Sequence, residues 1–246
     1  MAFAVFAVVR TFGVVRPRFD RMLVRHLVGT ALPLFASTIA FFIYFRIDAY
    51  LIAFIKGEEA TGLYGAAYNF AFGLAFLPLM LGRGALTRFA ACRTLEELRP
   101  AYRRTTGLTG LFAGGLSVLL LAAAPLFLLL YGSDFSGAQA PYLFLIAAQA
   151  LYFFTHLNYV LIIARGRTRL AWGLTLFALV VNLATNAALI PPLAATGAAL
   201  AMVISEAALL AVQTVIIRTG ILSSRAAAAV STQGAAPGEE PQSRAA

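Results

Sequence analysis

The fold is decided by residues 33–91, which read PLFASTIAFFIYFRIDAYLIAFI (33–55), KGEEATGLYGAAYN (56–69) and FAFGLAFLPLMLGRGALTRFAA (70–91). Two apolar runs flank a short charged turn. A helix rises 1.5 Å per residue, so each run is long enough to cross a hydrocarbon core about 30 Å thick. The stretch therefore predicts a hairpin of two membrane-spanning helices, and the first of them carries Arg46 and Asp48.

The composition predicts the same class for the whole chain. Of its 246 residues, 61% are hydrophobic even without counting Gly, whereas soluble domains have roughly 45–50% with Gly included. Apolar runs of about 20 residues are too long for strands, so the fold class is all-α. The single Cys excludes an intramolecular disulfide. No HExxH, GxSxG or Walker-type motif occurs, which argues against an enzyme of the soluble type.

The apolar pattern predicts a polytopic membrane protein with a six-helix bundle preceded by a short partial helix. We assign 1–15 to a partial transmembrane helix, 16–26 to a basic cytoplasmic loop, 27–222 to the six-helix lobe and 223–246 to a disordered cytoplasmic tail. The six apolar segments are 27–55, 63–90, 106–131, 141–164, 169–190 and 194–219.

The connecting segments alternate in their content of Lys and Arg. The stretch from Arg83 to Arg104 holds six Arg and the turn at 165–169 holds three, whereas the turns at 132–140 and 191–197 hold none. Cytoplasmic loops retain positive charge during insertion. Both ends of the six-helix lobe are therefore expected in the cytoplasm. The net charge of +9 indicates topology and contact with anionic lipid, not nucleic-acid binding.

Helix-distorting residues recur in the apolar segments. Pro33, Pro78 and Pro125 remove backbone hydrogen bonds and predict kinks. Small residues let helices in lipid approach closely. We expect such approaches at three Gly-containing stretches, GLYGAAY (62–68), FAGG (112–115) and TGAALA (196–201).

Arg46 and Asp48 lie ten and eight residues before Lys56, at a depth of about 12–15 Å. A charged residue near the centre of a membrane helix is unfavourable by about 2.5–3.5 kcal/mol, so these two predict a water-filled cavity or a paired site. Two positions apart, they point in opposite directions and serve different neighbours. Arg46 either lines a substrate cavity or forms a structural ion pair with a carboxylate such as Glu206.

Asn182 and Asn186 are four residues apart, on one helix face, and lie at a depth similar to that of Asp48. One carboxylate and two amide oxygens are suitable ligands for Na⁺, which makes these three residues a candidate metal site and Na⁺ a candidate coupling ion. The alternative is that the Asn side chains only join helices by hydrogen bonds.

Further polar residues occur inside the last three apolar segments. Glu206 lies in the sixth segment, while Gln149, His156 and Asn158 lie in the fourth. Each is expected either to line a cavity or to join helices by hydrogen bonds. The aromatic cluster at 41–50 is expected to contact lipid and pack against other helices rather than stack on sugars.

Five stretches resemble the bacterial polysaccharide (O-antigen) flippases. RIDAYLI (46–52) followed by KGEEATGLYGAAYNF (56–70) is similar to their seventh and eighth helices. Their ninth to twelfth helices are matched by LYGSDFSGAQAP (130–141), ARGRTRL (164–170) and NLATNAALIPPLAATGAALAMVISE (182–206). The similarity runs from about residue 18 to 218, and it implies the multidrug/oligosaccharidyl-lipid/polysaccharide exporter superfamily.

This resemblance implies a non-enzymatic function in the bacterial inner membrane, the transport of undecaprenyl-diphosphate-linked oligosaccharide. Such proteins have two lobes facing a central cavity, and this chain resembles the C-terminal one. The other lobe would belong to a longer form of the chain, or a second copy would take its place. By resemblance to the related lipid II flippases, Asp48, Asn182 and Asn186 match a sodium site, with Asn186 where an Asp is expected. Arg46, Glu206, His156 and Asn158 are the expected substrate-cavity residues.

Two other functions remain open at the level of the sequence. One is a structural membrane subunit without transport of its own. The other is a membrane-embedded enzyme of glycan assembly, which the short non-cytoplasmic loops disfavour because they offer little room for a donor-binding site.

Overall fold

The computed structural model describes residues 20–222, and every regular element in that range is helical. The predicted partial helix at 1–15 and the predicted tail at 223–246 lie outside the described residues. The chain divides into two units, Met1–Ala36 and Ser37–Ala246. The contacts, cavity and sites described below lie within the second unit, apart from the cap at the start of the first helix.

Eight α-helices follow one another from residue 21 to residue 216. They are α1 (Arg21–Tyr44), α2 (Ile47–Lys56), α3 (Glu58–Phe72), α4 (Phe76–Ala91), α5 (Leu95–Ala122), α6 (Ala124–Tyr131), α7 (Gln139–Ala164) and α8 (Thr168–Ile216). A 3₁₀ segment, Ser133–Ala138, precedes α7, and a π-helical segment, Ile217–Ile221, continues α8.

Within residues 20–222, four helical ranges are long and apolar enough to cross a membrane: Thr38–Lys56, Leu95–Ala122, Ser133–Ala164 and Thr168–Ile221. Helices α3 and α4, bent by 41° against each other, make a fifth when they are counted as one broken span. The last range contains Ala194, whose φ of 49° and ψ of −127° are not helical. The break at Ala194 separates a first arm of α8 (168–193) from a second arm (195–216). The arrangement of six spans stays a prediction. The protein is a polytopic, all-helical membrane protein.

Two of the three prolines for which the sequence predicts a kink have a helix break just before them. The gap between α3 and α4 covers 73–75 and precedes Pro78, while the gap between α5 and α6 falls at Ala123, just before Pro125. The proline ring clashes with the carbonyl four residues earlier, which explains a break on the N-terminal side. At Pro33, α1 continues without a break. The break at Phe45 and Arg46 has no proline near it.

Helices α1 and α5 begin well before the starts that the sequence predicts. Helix α1 begins at Arg21, inside the range 16–26 assigned to a loop, because Asp20 Oδ1 caps it by accepting from the backbone N–H groups of Met22 and Leu23. Helix α5 begins at Leu95, eleven residues before the predicted 106, behind a capping box of Thr94 and Glu97. The polar segment LEELRPAYRR is therefore helical and not a loop.

Helix α7 is the central element of the second unit, where it packs against α3, α4, α5 and α8. Helix α7 and its neighbours form two apolar clusters, one with Tyr64, Phe127 and Tyr142 and the other with Phe89 and Leu161. The end of α8 is held by arginines from the basic segments. Arg99 Nη2 donates to Leu222 O at 2.7 Å and Arg167 Nη2 donates to Gly220 O at 3.0 Å. These bonds satisfy carbonyls that the end of a helix leaves free.

Candidate functional site

The span Thr38–Lys56 is broken at Phe45 and Arg46, and Arg46 lies in the break. Its side chain is exposed, and its guanidinium carbon lies 5.6 Å from the ring centroid of Tyr68 on α3. Arg46 also precedes the first residue of α2, where backbone N–H groups carry a partial positive charge. A cation and a helix N-terminus thus occur together ten residues, or about 15 Å, inside the span.

Asp48 is turned away from Arg46, as their spacing predicts. Its side chain is buried, and Asp48 Oδ2 accepts a hydrogen bond from the hydroxyl of Tyr64 on α3. Asp48 Oδ1 has no partner among the described residues. A buried carboxylate oxygen without a donor is unfavourable, so this atom is a candidate ligand for a cation.

Asn182 and Asn186 lie together on the first arm of α8 and are fully buried. The Nδ2 group of Asn186 donates to Asn182 Oδ1 at 2.9 Å, which leaves Asn186 Oδ1 without a described partner. Helix α2, which carries Asp48, packs against α8. Among residues 20–222, no three His, Cys, Asp or Glu side chains form a group that could hold a metal ion. The packing of α2 against α8 is the observation that relates Asp48 to the two Asn residues.

Glu206, on the second arm of α8, is bound by two hydroxyl groups. Tyr44 Oη donates to Glu206 Oε1 at 2.8 Å, and Thr155 Oγ1 donates to Glu206 Oε2 at 2.6 Å. The ion pair with Arg46 that the sequence left open as an alternative is not formed. Tyr44, at the end of α1, and Arg46, in the break, therefore point to different surroundings although they are two residues apart.

Glu206 and His156 both line a cavity of about 240 Å³ between α1, α4, α7 and α8. Two of the predicted cavity residues, Arg46 and Asn158, are not part of its lining. Asn158 Oδ1 instead accepts from Tyr102 Oη at 2.8 Å and joins α7 to α5, which is the alternative role that the sequence allowed. The predicted cavity residues therefore occupy three separate places.

The hydroxyl partners of the two buried carboxylates, Asp48 and Glu206, are not among the residues predicted from the sequence. The sequence predicts lipid contact and helix packing for the cluster that contains Tyr44, and it assigns no role to Tyr64 or Thr155. For Tyr64 a signal existed, because Asp48 lies nine residues before Gly57 and Tyr64 lies seven residues after it. In an antiparallel helical hairpin that turns at Gly57, these two positions come to nearly the same level.

A family described as Polysaccharide biosynthesis protein matches residues 1–81, a range that contains Arg46, Asp48, Tyr64 and Tyr68. No curated protein and no solved structure matches the chain. The resemblance to membrane proteins of polysaccharide biosynthesis is thereby confirmed over residues 1–81.

Proposed function

We propose that this chain moves an undecaprenyl-diphosphate-linked oligosaccharide across the bacterial inner membrane, as one lobe of a two-lobed flippase. The support is the match of residues 1–81 to polysaccharide biosynthesis proteins and the multi-pass helical fold. Transport of this kind needs no hydrolytic site. The second lobe comes from a further part of the polypeptide or from a second copy.

The observation that carries the proposal is the exposed Arg46 in a break of its span. An unpaired cation inside a membrane helix is unfavourable unless it faces water or an anionic partner. Broken helices at this depth are typical of transporter binding sites, where helix N-termini point at anionic groups. Arg46 and the N-terminus of α2 together form a positive locus for the diphosphate of the lipid carrier. The ring of Tyr68, whose centroid lies 5.6 Å from the guanidinium carbon, is within the range of a cation–π contact.

In this account Asp48, Asn182 and Asn186 bind Na⁺ as the coupling ion. Asp48 Oδ1 and Asn186 Oδ1 are buried acceptors without described partners, and Na⁺ prefers such oxygens. Asp48 follows Arg46 by two residues, so ion binding on one face of the chain and substrate binding on the other involve the same short segment. The basic segments at 91–104 and 165–169 support a cytoplasmic location for both ends of the lobe.

The experiment replaces Arg46 in the protein in its own cells and measures the glycan at the cell surface. Arg46→Ala abolishes surface glycan while the amount of protein in the membrane is unchanged, because the positive charge for the diphosphate is lost. Arg46→Lys retains part of the export, since an ammonium group keeps the charge but not the bidentate geometry.

The matched control is Lys56→Ala, which removes an exposed cation from the end of the same span. It leaves surface glycan at the wild-type level. Normal export by the Arg46→Ala variant, or equal loss in Lys56→Ala, would show that the position of the charge in the break has no role in transport.

A further inference from the structure

The cavity beside Glu206 is large enough for a ligand of its own. Its volume of about 240 Å³ lies between four helices of the second unit. A water molecule takes about 30 Å³ in the liquid, so the space equals about eight waters or one small organic molecule. Neither Arg46 nor the residues of the proposed sodium site line it.

The charge of the lining favours a cation. Glu206 is 1% exposed and holds only the hydroxyl groups of Tyr44 and Thr155. Within residues 20–222, no Lys, Arg or His side chain forms an ion pair with it. A buried carboxylate without an opposite charge is several kcal/mol less favourable than a solvated one. A positively charged ligand in the cavity supplies the missing counter-charge.

Five ring side chains form a continuous wall of this cavity. Consecutive centroids are 4.7 Å apart from Phe41 to Phe45, 5.1 Å from Phe45 to Tyr152, 5.7 Å from Tyr152 to His156, and 6.3 Å from His156 to Tyr159. All five line the cavity. The faces of aromatic rings attract cations, and the same surface packs against a compact ring-shaped body.

The cavity lining contains a second polar side chain, Gln213, whose amide oxygen favours a ligand that donates hydrogen bonds. Gln213 lines the cavity and is 1% exposed, and its Oε1 accepts no hydrogen bond from the described residues. It lies seven residues after Glu206, two turns along the same helix face, with Leu209 between them on the cavity wall. The lining thus offers a carboxylate and an amide oxygen as acceptors.

We propose that this cavity binds a small organic ammonium ion, with the charged nitrogen beside Glu206 and the body against the aromatic wall. A free amine that carries an aromatic ring has this chemistry, and so does an amino sugar with a free ammonium group. The proposal is independent of the flippase function, because binding is measured without transport.

The test is isothermal titration calorimetry on the purified full chain in detergent. The ligands are phenethylammonium and glucosamine, and their uncharged counterparts are 2-phenylethanol and glucose. At least one ammonium ligand is expected to bind at least tenfold more tightly than its counterpart. Glu206→Gln weakens that binding at least tenfold, since the charge is lost while the shape is kept. Glu59→Gln, which removes an exposed carboxylate, leaves it unchanged.

A second variant blocks the space and keeps the carboxylate. Ala178 is buried and lines the cavity, so Ala178→Phe fills it and is expected to abolish binding. Binding of phenethylammonium alone, of glucosamine alone or of both supports the proposal and identifies the body of the ligand. Absence of ammonium binding to the wild type, equal binding of the uncharged counterparts, or unchanged affinity in Ala178→Phe overturns it. If Glu206→Gln does not fold, the comparison of charged and uncharged ligands and the Ala178→Phe variant decide the outcome.

Discussion

The hydroxyl of Tyr64 donates a hydrogen bond to Asp48 Oδ2 across the turn between α2 and α3. Tyr64 is 2% exposed and Asp48 is 1% exposed, so the bond between them is shielded from bulk water. Gly57, at the turn, has a φ of 86°, which other residues rarely adopt, and it lets α3 begin directly after α2. The bond joins the two helices of the hairpin at the level of Asp48.

Tyr64→Phe removes the donor and leaves a buried carboxylate oxygen without a partner. The free energy of unfolding is expected to fall by about 1–3 kcal/mol, and Tm by about 2–4 °C for each kcal/mol. Thermal unfolding of the purified protein in detergent measures the change. Tyr50→Phe on α2 is the control, because Tyr50 is 72% exposed, and its Tm stays that of the wild type. Equal melting of both variants would show that the Tyr64 bond does not stabilise the fold.

Two glycines of α8 give opposite predictions for the same substitution. A Cβ on Gly197 would lie 2.1 Å from the backbone oxygen of Leu189, which cannot move away as a side chain could. Gly197→Ala is therefore expected to lower the free energy of unfolding by about 3 kcal/mol. A Cβ on Gly173 meets no atom within 4 Å, and Gly173→Ala is expected to raise it by about 0.5–1 kcal/mol through helix propensity. The same thermal unfolding experiment measures both variants. A Gly197→Ala protein as stable as the wild type would contradict the close contact between Gly197 and Leu189.

The sequence predicts fold class and helix order better than it predicts close packing. Lengths of apolar runs depend on local composition alone, and they gave the helical, multi-pass architecture. Close approach depends on what another helix places opposite a glycine. A Cβ on Gly197, in TGAALA, meets the backbone of Leu189 on the same helix, across the bend at Ala194. A Cβ on Gly65 or Gly115 meets no described atom within 4 Å.

In the candidate site, too, the sequence predicts local relationships between residues better than contacts between distant ones. The spacing of Asn182 and Asn186 predicts a shared helix face, and their 2.9 Å hydrogen bond agrees with it. The partners of Glu206 were not predictable, because Tyr44 and Thr155 are 162 and 51 residues away in the chain. The break at Arg46 was not predicted either, since neither proline nor glycine marks it. These features depend on contacts between residues that are far apart in the chain, and local sequence patterns do not reveal such contacts.

If Asp48, Asn182 and Asn186 bind Na⁺ as proposed, the ion stabilises the folded protein specifically. A ligand that binds only the folded protein stabilises it by about 2.7 kcal/mol at a concentration one hundred times its Kd. Na⁺ is expected to raise Tm relative to K⁺ at equal ionic strength, and Asp48→Asn is expected to abolish the difference. Asn186→Asp adds a second carboxylate and is expected to strengthen Na⁺ binding. No Na⁺ effect in either the wild type or Asn186→Asp would leave these residues as hydrogen-bond partners between helices.

The alternation of basic segments predicts the topology. Alkaline phosphatase, which is active only outside the cytoplasm, is fused after Gly57 or Gly132 and is expected to be active there. Fusions after Cys92 or Gly166, in the basic segments, are expected to be inactive. An active fusion after Cys92 would contradict both the orientation and the number of spans before it.

The proposed function requires Arg46 for translocation of the lipid-linked oligosaccharide and not for its synthesis. The most direct measurement is the leaflet location of the lipid-linked oligosaccharide, read from its cleavage by a glycosidase added outside spheroplasts. In wild-type cells the lipid-linked oligosaccharide is cleaved. In Arg46→Ala cells the account predicts an undiminished or increased total amount that the enzyme does not reach, because the oligosaccharide remains on the cytoplasmic leaflet. A reduced total amount, or an oligosaccharide as accessible as in the wild type, would contradict the account.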